Sequence, residues 1–233
     1  MASKPPDGPQ PAVYCLSDRA IQIDWSLTSI EIANLSTLLS DKLSAAGWPV
    51  FRCVPADESL TLLFSQAVKP PHSVQTMAAE LLPMLEKLSK RIGKQQATGR
   101  HHSIVVNYGG LAGQDLDWVA AQTGLSTNGV IELHSNAVYT VQFLGFLPGF
   151  AYLTGLPEIL QFPRRNSPRA RVPAGTLAIG AHYCAVYPWE SPGGWHLLGH
   201  VEQVLFDPEA QGDAGHSLFQ AGDTVQFVQA DHA

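Results

Sequence analysis

The stretch Tyr139-Thr140-Val141-Gln142-Phe143-Leu144-Gly145-Phe146-Leu147-Pro148-Gly149-Phe150-Ala151-Tyr152-Leu153 decides the fold of this chain. It is apolar and β-prone, yet Gly145, Pro148 and Gly149 interrupt it, a break that a core strand has no need of. The same grammar continues downstream, where short β-prone runs alternate with Pro163, Pro168, Pro173, Gly175, Gly180 and Pro192-Gly193-Gly194. Many short strands separated by such turns predict a closed or nearly closed β-barrel. Just upstream, Ile104-Val105-Val106-Asn107-Tyr108 reads as a strand and Gly109-Gly110 as a turn. Residues 115–122 and 126–134 read as short helices opened by Asp115 and Ser126 caps. Residues 100–233 form one β-barrel domain on this reading.

The N-terminal half has a different grammar. Residues 12–16 and 20–23 flank Ser17-Asp18-Arg19 as a hairpin. Thr28-Ser29-Ile30-Glu31 has the spacing of a capping box, and the helix it opens carries Ile32, Leu35, Leu39 and Leu43 on one stripe. Gly47 and Pro49 end that helix. Two apolar runs follow, 50–54 and 60–64, and then a second amphipathic helix over about 73–92 turns Met77, Leu81, Met84, Leu85, Leu88 and Ile92 inward. The order ββαββα predicts two helices over one face of a small antiparallel sheet. The expected organisation is a flexible tail (1–11), an α+β domain (12–95), a polar linker around 93–99 and the barrel.

Composition narrows the function. The chain has 233 residues, 45% hydrophobic and 15% charged, which supports a real core and argues against general disorder. No apolar run reaches the roughly 20 residues of a membrane span, and residues 1–11 have no signal-peptide core, so no membrane partner and a cytoplasmic location are expected. The formal net charge of −6 argues against nucleic acid as a partner. Four of the 14 Lys and Arg residues cluster as Arg164, Arg165, Arg169 and Arg171, beside a C-terminal third whose charged residues are acidic. Cys15, Cys53 and Cys184 lack any CxxC spacing, so neither a disulfide framework nor a metal site is expected.

Three constellations are candidates for chemistry. The 143–153 stretch is either an aromatic loop packing the barrel mouth or the apolar wall of a small-molecule pocket. Prolines around Arg164 to Arg171 fix an extended backbone, so the arginines either project as forks for carboxylate or phosphate or form a solvated basic face. Ser191-Pro192-Gly193-Gly194-Trp195 reads as a tight turn or as an anion-binding concavity edged by the Ser191 hydroxyl and the Trp195 indole. His134, at a helix end just before the pocket stretch, is the candidate general base. The chain has no G-x-S-x-G elbow, P-loop, GxGxxG or HExxH, so any ATP chemistry it joins is expected to involve another polypeptide.

These residues carry a family resemblance. Glu132-Leu133-His134-Ser135, residues 143–153, Pro163-Arg164-Arg165, Pro168-Arg169, Val172-Pro173-Ala174-Gly175, Tyr187-Pro188 and Ser191 to Gly199 resemble the family of 5-oxoprolinase B subunits. That family is also labelled allophanate hydrolase subunit 1, includes an inhibitor of a sporulation sensor histidine kinase, and is similar to the C-terminal half of the urea carboxylase carboxyltransferase domain (subdomains C and D). The resemblance implies an α+β chain whose small two-helix antiparallel-sheet domain precedes a cyclophilin-like β-barrel. It further implies a cytoplasmic protein, not active alone, that works with the A subunit, plus a larger, carboxyltransferase-like C subunit. Together these hydrolyse the cyclic amide 5-oxo-L-proline to L-glutamate at the expense of ATP. On this footing Arg164 and Arg169 hold the substrate carboxylate or a phosphate, and amides around Gly193 and Gly194 a developing oxyanion. Phe146, Tyr152, Tyr187 and Trp195 complete the expected substrate site, with His134 and Ser191 as its catalytic groups. The alternatives are a regulatory protein that inhibits a sensor kinase, and a component of an allophanate hydrolase or carboxyltransferase. Where relatives read Gly-x-Gln-Thr-Gly, this chain reads Ala181-His182-Tyr183-Cys184-Ala185, which would change the ligand if that strand lines the pocket.

Overall fold

Each predicted N-terminal run forms its element. A computed structural model describes residues 11–25, 27, 29–67, 74–92, 99–210 and 216–230. The chain divides into two compact units, Met1–Ala97 and Thr98–Ala233. Residues 1–10 of the expected tail (1–11), Thr28 of the capping box, Ser73 and most of the linker (93–98) lie outside the described residues.

In the first unit, β1 (Ala12–Ser17), β2 (Ala20–Asp24), α1 (Ser29–Ala45), β3 (Val50–Ala56), β4 (Ser59–Phe64) and α2 (Val74–Ile92) follow in order. The sheet runs β1-β2-β4-β3 with antiparallel pairing throughout. Alternation on β2 and β4 buries Ile21, Ile23, Leu60, Leu62 and Phe64 in one cluster with Leu35, Leu39 and Leu43 of α1 and Met77, Leu81, Leu85 and Leu88 of α2. Met84 is only partly buried. Gly47 takes a left-handed φ of 75°, and the Trp48 amide donates to the Leu43 carbonyl at 2.9 Å, the six-to-one bond that closes a helix C-terminus.

The second unit is built from β5 (His101–Tyr108), α3 (Leu116–Thr123), α4 (Thr127–Ser135), β6 (Val138–Leu144), β7 (Ala151–Thr154), β8 (Arg169–Val172), β9 (Thr176–Gly180), β10 (Tyr183–Val186), β11 (Ser191–Gly193), β12 (His196–His200) and β13 (Thr224–Gln229). Seven of these strands close a barrel in the order β10-β7-β6-β13-β5-β12-β9. The last strand enters between two much earlier ones: β13 pairs with β5 in parallel and with β6 antiparallel. β8 and β11 stand apart as a two-stranded ribbon.

β9 and β10 are buried along their whole length, so each strand supplies two cores. Leu177, Ile179, Cys184 and Val186 join the barrel interior, with Val106, Val141, Leu198 and Phe227. The intervening Ala178, Tyr183 and Ala185 join a second, aromatic cluster with Phe143, Phe150, Tyr187 and Trp195. A period of two makes this division unavoidable, since neighbouring side chains leave a strand on opposite faces. The second cluster backs the functional site. Among the described residues no helix is long and apolar enough to cross a membrane.

Candidate functional site

The interruptions in the 143–153 stretch form a turn. β6 ends at Leu144 and β7 begins at Ala151; between them the Phe150 amide donates to the Leu147 carbonyl at 3.0 Å and the Gly145 amide to the Phe150 carbonyl at 3.0 Å. Gly149 takes a φ of 81°, and so, unusually for an aromatic residue, does Phe146, at 65°. This backbone turns the Phe146 ring outward, 59% exposed, while Phe150 is buried beneath it with ring centroids 5.4 Å apart.

These rings form one wall of a pocket of about 290 Å³, lined by Phe146, Phe150, Tyr152, Arg164, Arg165, Pro168, Tyr187, Pro192, Gly193, Gly194 and Trp195. All three sequence constellations meet here. Seven of the expected substrate-site residues line the pocket: Phe146, Tyr152, Arg164, Tyr187, Gly193, Gly194 and Trp195. The pocket therefore lies on the aromatic layer outside the barrel wall rather than in its interior. Gly193 is required because a Cβ there would collide with the Tyr187 hydroxyl, and Gly180 because a Cβ would lie 2.7 Å from the Trp195 indole. Burial raises the Tyr187 phenol to about 12, helped by Tyr152 and partly opposed by Arg164 and Arg169. Burial likewise raises Tyr152, against Arg164. Both phenols stay protonated near neutrality and serve as donors, not bases.

The arginine cluster divides by environment. Arg164 is exposed over the pocket, its guanidinium carbon 5.9 Å from the Trp195 ring centroid. Arg165 lines the pocket and is anchored twice: its amide donates to the Gly194 carbonyl at 2.7 Å, and its Nη1 to Asp115 Oδ1 at 3.1 Å. Arg169 does not line the pocket, a correction to its expected substrate contact; its Nη2 donates to the same Asp115 Oδ1 at 2.9 Å. Arg171 pairs with Glu190 at the surface, the only member that answers an acidic residue of the C-terminal third among the described contacts.

Asp115 is thus more than a helix residue. It precedes α3 but makes no side-chain cap, correcting that expectation. Its Oδ2 instead accepts from the Leu197 amide at 2.7 Å. Burial would raise this carboxyl, but the Arg169 hydrogen bond, the Leu197 amide and the two guanidinium charges outweigh it and hold the group below its ordinary range. Ser126, by contrast, caps α4 as expected, accepting from Gly129 at 3.1 Å. Sequence reasoning missed Asp115, Arg165 and Phe150 as site residues. Asp115 carries no local signal, since its partners lie 50 or more positions away.

Neither of the two expected catalytic groups lines the pocket. His134 is completely buried in the barrel core, not in the pocket: Nδ1 shares a 2.7 Å hydrogen bond with the Tyr108 hydroxyl and Nε2 lies 3.3 Å from Cys184 Sγ. Burial lowers its pKa to about 3. A neutral imidazole without solvent access cannot exchange protons with a ligand outside the barrel, so the general-base expectation is corrected. Ser191 is buried beside the pocket on β11, and its hydroxyl does not line the cavity. The changed Tyr183-Cys184 pair does not line it either. Tyr183 stands one layer behind, edge-on to Tyr152 at 5.4 Å, and Cys184 faces the barrel core. Ala181, where the family pattern has Gly, holds a left-handed φ of 53°. No group of His, Cys, Asp and Glu among the described residues has the arrangement to hold a metal ion.

Comparison with known proteins agrees with this architecture. The family described as carboxyltransferase domain, subdomain C and D, matches residues 11–214. A Haemophilus influenzae protein named as the 5-oxoprolinase B subunit is 46% identical over 148 residues, covering 64% of this chain and 68% of its own. One of the same name from Escherichia coli O157:H7 is 40% identical over 179 residues, covering 77% of this chain and 78% of its own. The solved structure of TTHA0988 superposes with a TM-score of 0.69 at 33% identity, over 92% of this chain. This chain spans only 40% of that longer one.

Proposed function

The chain belongs to the carboxyltransferase-domain family, subdomains C and D, and from that membership we propose that it is the B subunit of a 5-oxoprolinase, hydrolysing 5-oxo-L-proline to L-glutamate within a larger complex. The observation that carries this reading is the pocket, which joins apolar ring faces to two arginines at one opening. A five-membered lactam with one carboxylate presents the complementary surface: a flat ring for Phe150 and Trp195 and an anion for a guanidinium fork. At about 290 Å³ the cavity is at the small end of the range for small-molecule sites, which suits such a ring.

The chain carries no P-loop, and the positive charge at the pocket comes from two arginines rather than from a phosphate-cradling loop at a helix start. ATP, which would supply the driving force for opening a stable lactam, is therefore assigned to a site on a partner polypeptide or shared with one, and this chain is not active alone. Its own contribution is to bind and orient: Arg164 and Arg165 take the carboxylate, the aromatic walls exclude water from the ring faces, and glycine backbone at Gly193 and Gly194 allows close approach. The B-subunit names of the relatives support a partner of this chain, which the reading takes as a larger carboxyltransferase-like C subunit together with an A subunit. The complex is assigned to the cytoplasm. Neither the site nor these relatives favour the sensor-kinase inhibitor reading.

The test is a pull-down with the tagged chain, followed by assay of the recovered complex for ATP-dependent glutamate release. Arg164→Ala is expected to lower that activity at least tenfold, with melting unchanged within a few degrees. Unchanged turnover would reject the role given to Arg164, and recovery of a sensor kinase without a carboxyltransferase-like chain would reject the enzyme reading.

A further inference from the structure

We propose that Asp115 is a positioning residue, a carboxylate shared by two arginines that presents the Arg165 guanidinium to the carboxylate of the pocket's ligand. The inference rests on the reading of the pocket as a site for a small cyclic carboxylate.

Asp115 is 5% exposed, and both of its oxygens are used. Oδ1 receives Arg165 at 3.1 Å and Arg169 at 2.9 Å; Oδ2 receives the Leu197 amide at 2.7 Å. The Asp115 amide in turn donates to the Leu197 carbonyl at 3.0 Å, so the residue is bracketed to the start of β12 through backbone and side chain. Arg165 is fixed at its other end by the hydrogen bond that its backbone N–H donates to the Gly194 carbonyl. A long side chain with several free torsions is thereby held at both ends, which lowers the entropy lost when it binds an anion.

Charge decides what such a centre can do. One carboxylate against one guanidinium would be neutral and would offer an anionic ligand little attraction. One carboxylate against two guanidiniums keeps a surplus positive charge, and only one of the two arginines lines the pocket. Arg169 therefore supplies charge and braces Asp115 from behind, while Arg165 carries the fork to the ligand. Arg165 Nε and Arg169 Nη1 are buried without a partner among the described residues, whereas the Arg165 side chain keeps 35% of its surface exposed, so part of its guanidinium stays open to a ligand. Removing the Asp115 charge would leave two like charges in a half-buried site, free to splay apart.

The experiment is a double-mutant cycle on the full chain, with the dissociation constant of 5-oxo-L-proline measured by calorimetry for wild type, Asp115→Asn, Arg165→Lys and the double variant. Each single change is expected to weaken binding at least tenfold, Asp115→Asn with a lower melting temperature as well because it gives up a buried ion pair, and the double variant is expected to bind no worse than either. Unaltered binding in Asp115→Asn, or losses that simply multiply in the double variant, would overturn the inference. If Asp115→Asn fails to fold, Asp115→Glu takes its place in the cycle, where the displaced carboxylate is expected to weaken binding. If the wild type binds no 5-oxoproline, the substrate reading has failed on its own terms, and guanidinium N–H resonances decide the positioning role. A slowly exchanging Arg165 signal, identified by its absence in Arg165→Lys and lost on Asp115 substitution, sustains it; a signal indifferent to Asp115 overturns it.

Discussion

Arg164, Arg165, Arg169 and Arg171 are close in sequence, yet one faces the pocket freely, two share a buried carboxylate and one meets a surface glutamate. The same separation of role from residue type applies to His134. Its position near the aromatic stretch suggested a base, but the structure encloses it between Tyr108, Tyr139 and Cys184. Its chemistry is expressed in stability. An unfolded histidine ionises near 6.5, whereas folded His134 stays neutral down to about 3. Between these values the unfolded state binds one more proton, so stability falls as pH falls, by roughly 1.4 kcal/mol per unit. Thermal melts between pH 7 and 4.5 should show this slope, and His134→Gln should flatten it even if its melting temperature is lower throughout. Asp115 and Asp223 act in a separate window. Their folded pKa values are depressed, so the stability they contribute is present above about 4 and lost only at lower pH.

At the scale of elements, the turn between β6 and β7 is where local rules are broken in favour of the site. A phenylalanine at a φ of 65° sacrifices about 1 kcal/mol that a glycine would not. Phe146→Gly should therefore leave the melting temperature unchanged or slightly higher while weakening 5-oxoproline binding several-fold, since the ring that forms the outer wall is gone. Both quantities can be read from one calorimetric preparation, and a marked loss of stability would show that the ring packs rather than binds. α2 breaks a rule more quietly. Pro83 sits inside the helix, but both it and Ala79, whose carbonyl loses its helical donor, are exposed. The β8–β11 ribbon carries Arg169 opposite Gly193 and so joins the arginine and glycine constellations through a strand pairing that neither announces alone.

At the scale of the whole chain, the two units have separate cores: one cluster drawn from residues 13–88, and two clusters drawn from residues 104–227. Residues 99–233 expressed alone are expected to unfold cooperatively with native-like near-UV circular dichroism, and a species lacking that signal would show that the barrel depends on the N-terminal unit. The α+β architecture, the two helices over a four-stranded sheet, the barrel and most pocket-lining residues were legible in the sequence. Hydrophobic period, turn residues and capping positions are local, and the family motif marked Phe146, Arg164, Gly193 and Trp195 directly. The partnership of Asp115 with Arg165 and Arg169, the exclusion of His134 from the site and the placing of the pocket outside the barrel wall were decided only in three dimensions. Each depends on which face of a buried strand a residue takes and on which distant strand lies beside it. Loop closure over 50 or more residues leaves no periodic trace along the chain.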